Sequence, residues 1–302
     1  MSQTSIISGQ HTATLSPSRS LPVRRTPVWE YAGTTLTNTR ADLKKVIKGQ
    51  LPIGLLPGEL ITEAERIGIV RALRACANRQ YENFDELEKA FVHGTPLVDA
   101  TTLYDYLTGE RDDAFDEITA PLLDRLIKAL QSYGFNVAPL IDEVTMLPYP
   151  AGVCREISIP EGCYKESGNT CTVLHCDDIL RDGLTKPDFR IPGVLEGKQY
   201  HQFSICLQLE DGGYRPDDII VHEKQYSREL ESRFYGDGAW RFDPAALAGS
   251  RSCAHTPELR KAYMFSTLNF HDIRGGHPLS KRINYSVFFL YVPGSNTVYY
   301  YN

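Results

Sequence analysis

The sequence predicts an α+β fold in which helices come first and an antiparallel barrel or sandwich follows. Three observations carry that expectation. Apolar residues recur at helical spacing as far as Tyr133, short β-type runs divided by Gly, Pro and Asp clusters begin near residue 140, and no repeat of 20–50 residues runs along the chain.

In chain order, residues 1–28 are rich in Ser, Thr, Arg and Pro and lack the apolar stretch of a signal peptide. They read as a disordered or loosely docked arm ahead of a single domain at 29–302, helical to about 139 and strand-rich from about 140. Val28 to Leu36 has the pattern of a short strand. Pro57 to Asn78 carries Ile61, Ala64, Ile67, Val70, Leu73 and Ala77 on one side of an amphipathic helix. Asn83 to Val92 and Leu97 to Thr108 are shorter helical segments. A longer one, Phe115 to Tyr133, aligns Ile118, Leu122, Leu126, Ala129, Leu130 and Tyr133 and stops at Gly134, as a helix does at its C′ residue. Strands are expected at Glu143 to Tyr149, Thr170 to Asp177, Gln202 to Leu209, Asp218 to His222, Ala262 to Asn269 and Arg282 to Val292. Segments 178–200 and 223–260 show little β pattern, with at most a helical turn at Leu230 to Phe234, and their length suits lids or binding loops.

Composition narrows the function. A chain of 302 residues that is 42% hydrophobic can bury a substantial core. Its 38 acidic and 32 basic side chains are mixed, with no Lys/Arg stripe to track phosphates, which argues against a nucleic-acid partner. No run approaches the roughly 18 apolar residues of a membrane span. Seven cysteines form no C-x-x-C pair, and the odd count fits a reducing cytoplasm better than a disulfide framework. The tail Val298 to Asn302 suits packing or an interface strand, and oligomeric state is left open.

Chemistry first enters at Thr172-Val173-Leu174-His175-Cys176-Asp177-Asp178. Residues i and i+2 of a strand share a face, so His175 and Asp177 can reach one metal ion, whereas Cys176 and Asp178 point away. Cys176 then reads as a buried structural thiol and Asp178 as a solvated or capping carboxylate. A third ligand is found at His271, after the apolar run Tyr263 to Phe270, at an expected strand end opening onto a turn; His277 in that turn is the rival. Two histidines and a carboxylate form a facial set with open positions, the arrangement that suits iron(II). Arg282, Asn284 and Ser286 share one face of the last strand. A buried polar row needs a polar guest, and a dicarboxylate whose remote end is gripped by the Arg282 fork would provide one.

His-x-Asp, a gap of about a hundred residues, then His-x10-Arg-x-Asn resembles the signature of the Fe(II)/2-oxoglutarate-dependent dioxygenases, in which the last position is commonly Ser. The resemblance covers Glu143 to Val292, and Gln202 to Gly213 is similar to the family's central strand and Gly turn. It implies a double-stranded β-helix, or jelly roll, braced by the N-terminal helices. It further implies iron(II) on His175, Asp177 and His271, 2-oxoglutarate as cosubstrate on Arg282, Asn284 and Ser286, and O2 as oxidant, with succinate and CO2 released. Asp177 stands where halogenating relatives carry Gly or Ala, so hydroxylation of a small molecule, such as an amino acid or natural-product intermediate, leads over desaturation or cyclisation. A 2-oxoglutarate-independent iron oxygenase and a non-catalytic jelly-roll metal-binding protein are the other readings. Arg190, Tyr226, Arg228, Trp240 and Arg241 in the long loops are the substrate-binding candidates; His201, His222 and His255 read as surface or internally satisfied histidines.

Overall fold

The computed structural model describes residues 39–76, 79–80, 89–94, 100–109, 113–158, 170–211, 218–235, 242–274 and 281–301. The expected arm and the Val28 to Leu36 strand fall outside these residues.

Helix α1 (Arg40–Ile47) was not foreseen; the Thr39 side chain caps it by accepting from the Asp42 N–H. Helix α2 (Glu63–Leu73) occupies the middle of the expected 57–78 segment and starts at a reciprocal capping box between Thr62 and Glu65. Helix α3 is Leu103–Thr108 and α4 is Asp113–Ser132, the latter followed by Gly134 at positive φ. Leu122, Leu126 and Leu130 of α4 are buried, as the periodicity predicts, and Phe115 and Thr119 are buried with them.

Two sheets form the rest. The larger has the order β1 (Gly54–Leu55), β10 (Ala262–Ser266), β7 (His201–Glu210), β12 (Lys281–Val292), β5 (Val153–Ser158), β3 (Lys89–His93), β2 (Arg79–Gln80). Beyond that path β13 (Thr297–Tyr301) pairs antiparallel with β12 and parallel with β4 (Asn136–Pro139). The smaller has the order β6 (Thr170–His175), β11 (Asn269–Arg274), β8 (Asp218–Gln225), β9 (Ser252–His255). From β5 to β12 the chain alternates between them except that β8 and β9 follow one another in the smaller sheet: β5, β7, β10 and β12 lie in the larger sheet, and β6, β8, β9 and β11 in the smaller. Short helices α5 (Ile179–Leu184) and α6 (Arg228–Phe234) and a 3₁₀ turn at Pro244–Leu247 punctuate the long segments.

Four expectations are corrected. Residues 89–92, read as helix, belong to β3 because they pair along β5, and pairing in a sheet overrides a weak helical pattern; residues 83–88 of that reading lie outside the described set. Glu143 to Tyr149 is no strand, since the Asp142 carboxylate accepts from the Thr145 N–H (2.7 Å) and hydroxyl (2.6 Å) and folds the chain into a turn. Leu230 to Phe234 belongs to a seven-residue helix with Ser227 as its cap. The run Ala262 to Asn269 breaks at Thr267-Leu268, where the chain leaves β10 of one sheet for β11 of the other, so His271 lies within a strand and not at its end.

Side-chain alternation divides the larger sheet into two faces. Phe203, Ile205, Leu207 and Leu209 of β7 and Ile283, Val287 and Phe289 of β12 pack with Leu43, Ile47, Leu126 and Leu130 of the helices in one cluster. Each such burial is worth roughly 1.5–3 kcal/mol. Cys206, Tyr263 and Phe265 on the other face meet Ile219, Val221 and Ile273 of the smaller sheet, which closes the interior between the sheets. No described helix is long and apolar enough to cross a membrane.

Candidate metal centre

The pairing of β6 with β11 sets His175 directly opposite His271, with ring centroids 4.2 Å apart. Asp177 lies just past the end of β6, and its backbone is fixed from the corner between β10 and β11. Its N–H donates to the Thr267 carbonyl (3.0 Å), and its carbonyl accepts from the Thr267 hydroxyl (3.1 Å) and from the Gln202 side-chain amide (3.0 Å). One carboxylate oxygen is then 3.4 Å from His271 Nε2 and the other 4.0 Å from His175 Nε2. The three ligand atoms all lie within 4.8 Å of one another. Ligands about 2 Å from a shared ion stand about 3 Å apart in a facial set, so these atoms would draw together by up to about 2 Å around one.

The surroundings prepare these groups for a cation. His271 Nδ1 lies 2.9 Å from the Asn269 carbonyl, so its N–H donates there and Nε2 is the ring atom that faces Asp177. Asn269 is itself fixed, donating to the carbonyls of His222 (2.8 Å) and Glu223 (3.2 Å) and accepting from Gln225 (3.0 Å). Burial alone would raise the Asp177 pKa, but the hydrogen bond from His271 and the charges of His175, His271 and Arg181 outweigh it and hold the carboxyl well below the usual carboxylate range. Asp177 is therefore ionised at neutral pH, as a ligand must be.

Parity holds for the two residues beside Asp177. Asp178 turns away and caps α5, accepting from the Leu180 N–H (3.1 Å) and the Tyr200 hydroxyl (2.6 Å). Cys176 is buried with Leu174, Phe242, Ala246 and Phe270, and burial pushes its thiol far up. Arg181, which no sequence pattern singles out, donates to the Cys176 sulfur (3.0 Å) and carbonyl (2.5 Å), bracing the strand end ahead of Asp177. Its neighbour Asp182 is pushed up to about 7 by burial, against the opposing Arg181 charge.

Across the interior, Arg282, Asn284 and Ser286 are buried in a row on β12. Arg282 Nε and Nη1 have no hydrogen-bond partner, nor has Asn284 Oδ1, while Asn284 Nδ2 donates to the Tyr263 hydroxyl at 3.3 Å. Two orphaned guanidinium N–H groups at a nearly dry position fit a carboxylate, because so few buried donors go unsatisfied in proteins. Ser286 accepts from Arg155 Nη1 (3.1 Å). Tyr263 and Arg155 escaped the sequence reading, although Arg155 in the strand Val153-Cys154-Arg155 had a legible parity opposite to that of the apolar Cys154.

No family model matches the chain, and no curated protein matches it. Among solved structures it is similar to an N-substituted L-amino acid dioxygenase from Burkholderia ambifaria, at 14% identity over 87% of this chain and 91% of that one, with a TM-score of 0.50. The same enzyme in complex with alpha-KG gives 13% identity, coverage of 87% and 91%, and a TM-score of 0.47. An oxidoreductase of the 2OG-Fe(II) oxygenase family from Burkholderia pseudomallei gives 11%, coverage of 88% and 95%, and 0.45. The chain shares the fold of the Burkholderia ambifaria enzyme.

The remaining positions sort by exposure. Arg190 and Arg228 are exposed, and the Tyr226 hydroxyl donates to Glu231 (2.6 Å) while its ring lies under the Arg181 guanidinium. Trp240, Arg241 and His277 lie outside the described residues. His222 is buried against Asp272 (3.2 Å), His201 stacks on Tyr291, and the His255 ring is 5.3 Å from that of Tyr263. Burial lowers the pKa of His201 and His255.

Proposed function

We propose that this chain is an Fe(II)- and 2-oxoglutarate-dependent oxygenase that hydroxylates a small organic molecule. The observation that carries the reading is the convergence of His175, Asp177 and His271 on one point of an interior that also buries Arg282 with two unpaired N–H groups. The alternation of β5 to β12 between two sheets supports reading them as a double-stranded β-helix, within one domain at 29–302.

In this reading His175 Nε2, Asp177 and His271 Nε2 hold iron(II), and 2-oxoglutarate joins it there with its remote carboxylate on Arg282. Bound together they supply the oxidation of substrate by O2, with succinate and CO2 as co-products. The chain's own contribution is positional. The Asn269 carbonyl fixes the His271 tautomer, Thr267 and Gln202 fix Asp177, the Arg282 fork and Asn284 orient the cosubstrate with Ser286 beside them, and Ile219, Val221, Phe265 and Ile273 keep water from the interior. A structural metal is less well supported, because structural zinc sites close with four protein ligands and only three converge among the described residues. The dioxygenase from Burkholderia ambifaria makes N-substituted L-amino acids the first substrates to try. A cytoplasmic enzyme without nucleic-acid or membrane partners completes the proposal.

The test is an anaerobic titration of the protein with Fe(II) and then 2-oxoglutarate, followed by visible absorption and calorimetry. The expected result is a weak visible charge-transfer band that appears on adding 2-oxoglutarate and is lost in Arg282→Gln. Iron uptake without any 2-oxoglutarate binding sinks the proposal in favour of an oxygenase that does not use this cosubstrate.

A further inference from the structure

We propose that Arg155 is a second anion anchor in the interior, holding a carboxylate of the substrate, so that the substrate is a small organic acid. The inference rests on the oxygenase reading and adds to it a residue and a substrate class.

Arg155 projects from β5 onto the same face as the Arg282 row. Its Cα partner across the ladder is Asn284, and its guanidinium reaches the Ser286 hydroxyl at 3.1 Å. The Cys206 thiol, opposite Ser286 on β7, lies in the field of both Arg155 and Arg282. Two guanidinium groups thus converge on one small volume, and among the described residues no carboxylate lies within ion-pairing distance of either. Asp177 is committed to the two histidines.

Position separates the tasks of the two cations. Gln202, which holds the Asp177 carbonyl, stands opposite Leu290 on β12. Passing along β12 from Arg282 towards that end, one meets Asn284 and then Ser286, so the Arg155 guanidinium is stationed between the Arg282 end and the metal end. A bound 2-oxoglutarate uses both its carboxylates, one at the metal and one on the Arg282 N–H pair. Iron(II), Asp177 and the dianion then leave a single positive charge unmatched inside. The Arg155 guanidinium is half-buried, so a substrate that covers it would strip its remaining water, and a monoanionic substrate offsets that cost because its carboxylate takes the remaining Arg155 N–H groups.

The experiment uses the full chain loaded anaerobically with Fe(II) and 2-oxoglutarate. Binding of N-acetyl-L-leucine, hexanoate and phenylacetate is measured by calorimetry, each against its uncharged carboxamide. We expect at least one acid to bind at least about tenfold more tightly than its amide, the scale of a charge-assisted hydrogen-bonded pair. Arg155→Gln should abolish that preference and leave 2-oxoglutarate affinity within about twofold, whereas Arg282→Gln should weaken 2-oxoglutarate by at least about tenfold. Retained iron and 2-oxoglutarate binding reports that the Gln variant is folded; should that variant not fold, Arg155→Lys, with its charge kept and its fork lost, should show a reduced preference. The proposal is overturned if no acid is preferred over its amide, if Arg155→Gln weakens 2-oxoglutarate as much as Arg282→Gln does, or if Arg155→Lys leaves the preference unchanged. Failure of the wild-type chain to take up iron with 2-oxoglutarate sinks the oxygenase reading itself, and is scored before any variant is made.

Discussion

On one face of β12, Ile283, Val287 and Phe289 are fully enclosed by the helices and by neighbouring strands; on the other, Arg282, Asn284 and Ser286 are nearly as well hidden, yet Arg282 and Asn284 keep hydrogen-bonding atoms without partners. The two sets alternate along a single strand and differ little in burial. What separates them is unmet polarity. Apolar atoms need only to be covered, whereas a covered N–H without an acceptor costs about 1–3 kcal/mol and is kept where a ligand will supply the acceptor. A strand with one face of each kind joins the folding of the domain directly to the chemistry of its interior.

Mutations on the two faces should therefore fail differently. The largest effect is expected at the metal end, where His271→Ala or Asp177→Ala should abolish iron binding in calorimetry while leaving urea unfolding of the metal-free protein cooperative. On the apolar face, Phe289→Ala should cost about 3–5 kcal/mol in urea denaturation, as emptying a packed aromatic site does. Its residual folded fraction should still bind iron. On the polar face, Arg282→Gln should raise the 2-oxoglutarate requirement about 10–100-fold with little loss of stability, the reverse of the Phe289 pattern. Thr267→Val, which removes the hydroxyl that supports the Asp177 carbonyl, should weaken iron binding by about tenfold and leave 2-oxoglutarate affinity of the iron-loaded protein near the wild-type value. The smallest effect lies in the helical layer. Arg125, then the Thr62 N–H and hydroxyl, draw the Glu65 pKa down from its ordinary value to about 2. A depressed acid stabilises the fold above its unfolded pKa and loses that contribution as pH falls through its folded pKa. Thermal melts should thus show wild-type stability declining between about pH 4.5 and 2 by more than Glu65→Gln does.

The site was legible in the sequence to the extent that it depends on alternation. His175 and Asp177 on one side with Cys176 and Asp178 on the other, and the row Arg282, Asn284, Ser286, follow from the two-residue period of a strand and are found as read. Features set by pairing between distant segments were hidden. Ala262 to Asn269 has no Gly or Pro to announce the break at Thr267-Leu268, because the break is imposed by the change of sheet. Lys89 to His93 becomes a strand only because β5 offers it an edge, and Arg155 matters only because β5 lies beside β12. Local chemistry, by contrast, explains the missed turn after Ile141, where an Asp three residues before a Thr was a readable signal passed over in favour of an apolar pattern.

The corner at Thr267-Leu268 would also make a metal ion bound at the proposed site a fastener. Asp177 follows a strand of the smaller sheet but is held by Gln202 of the larger one and by Thr267 of the connection between them, while His175 and His271 belong to the smaller sheet. A cation bound by all three ligands would draw this seam shut, and parting the sheets would require releasing it. Iron uptake and resistance to unfolding are then two readings of one equilibrium, and the melting temperature should climb with free iron concentration for as long as the native seam binds the ion better than the unfolded chain does.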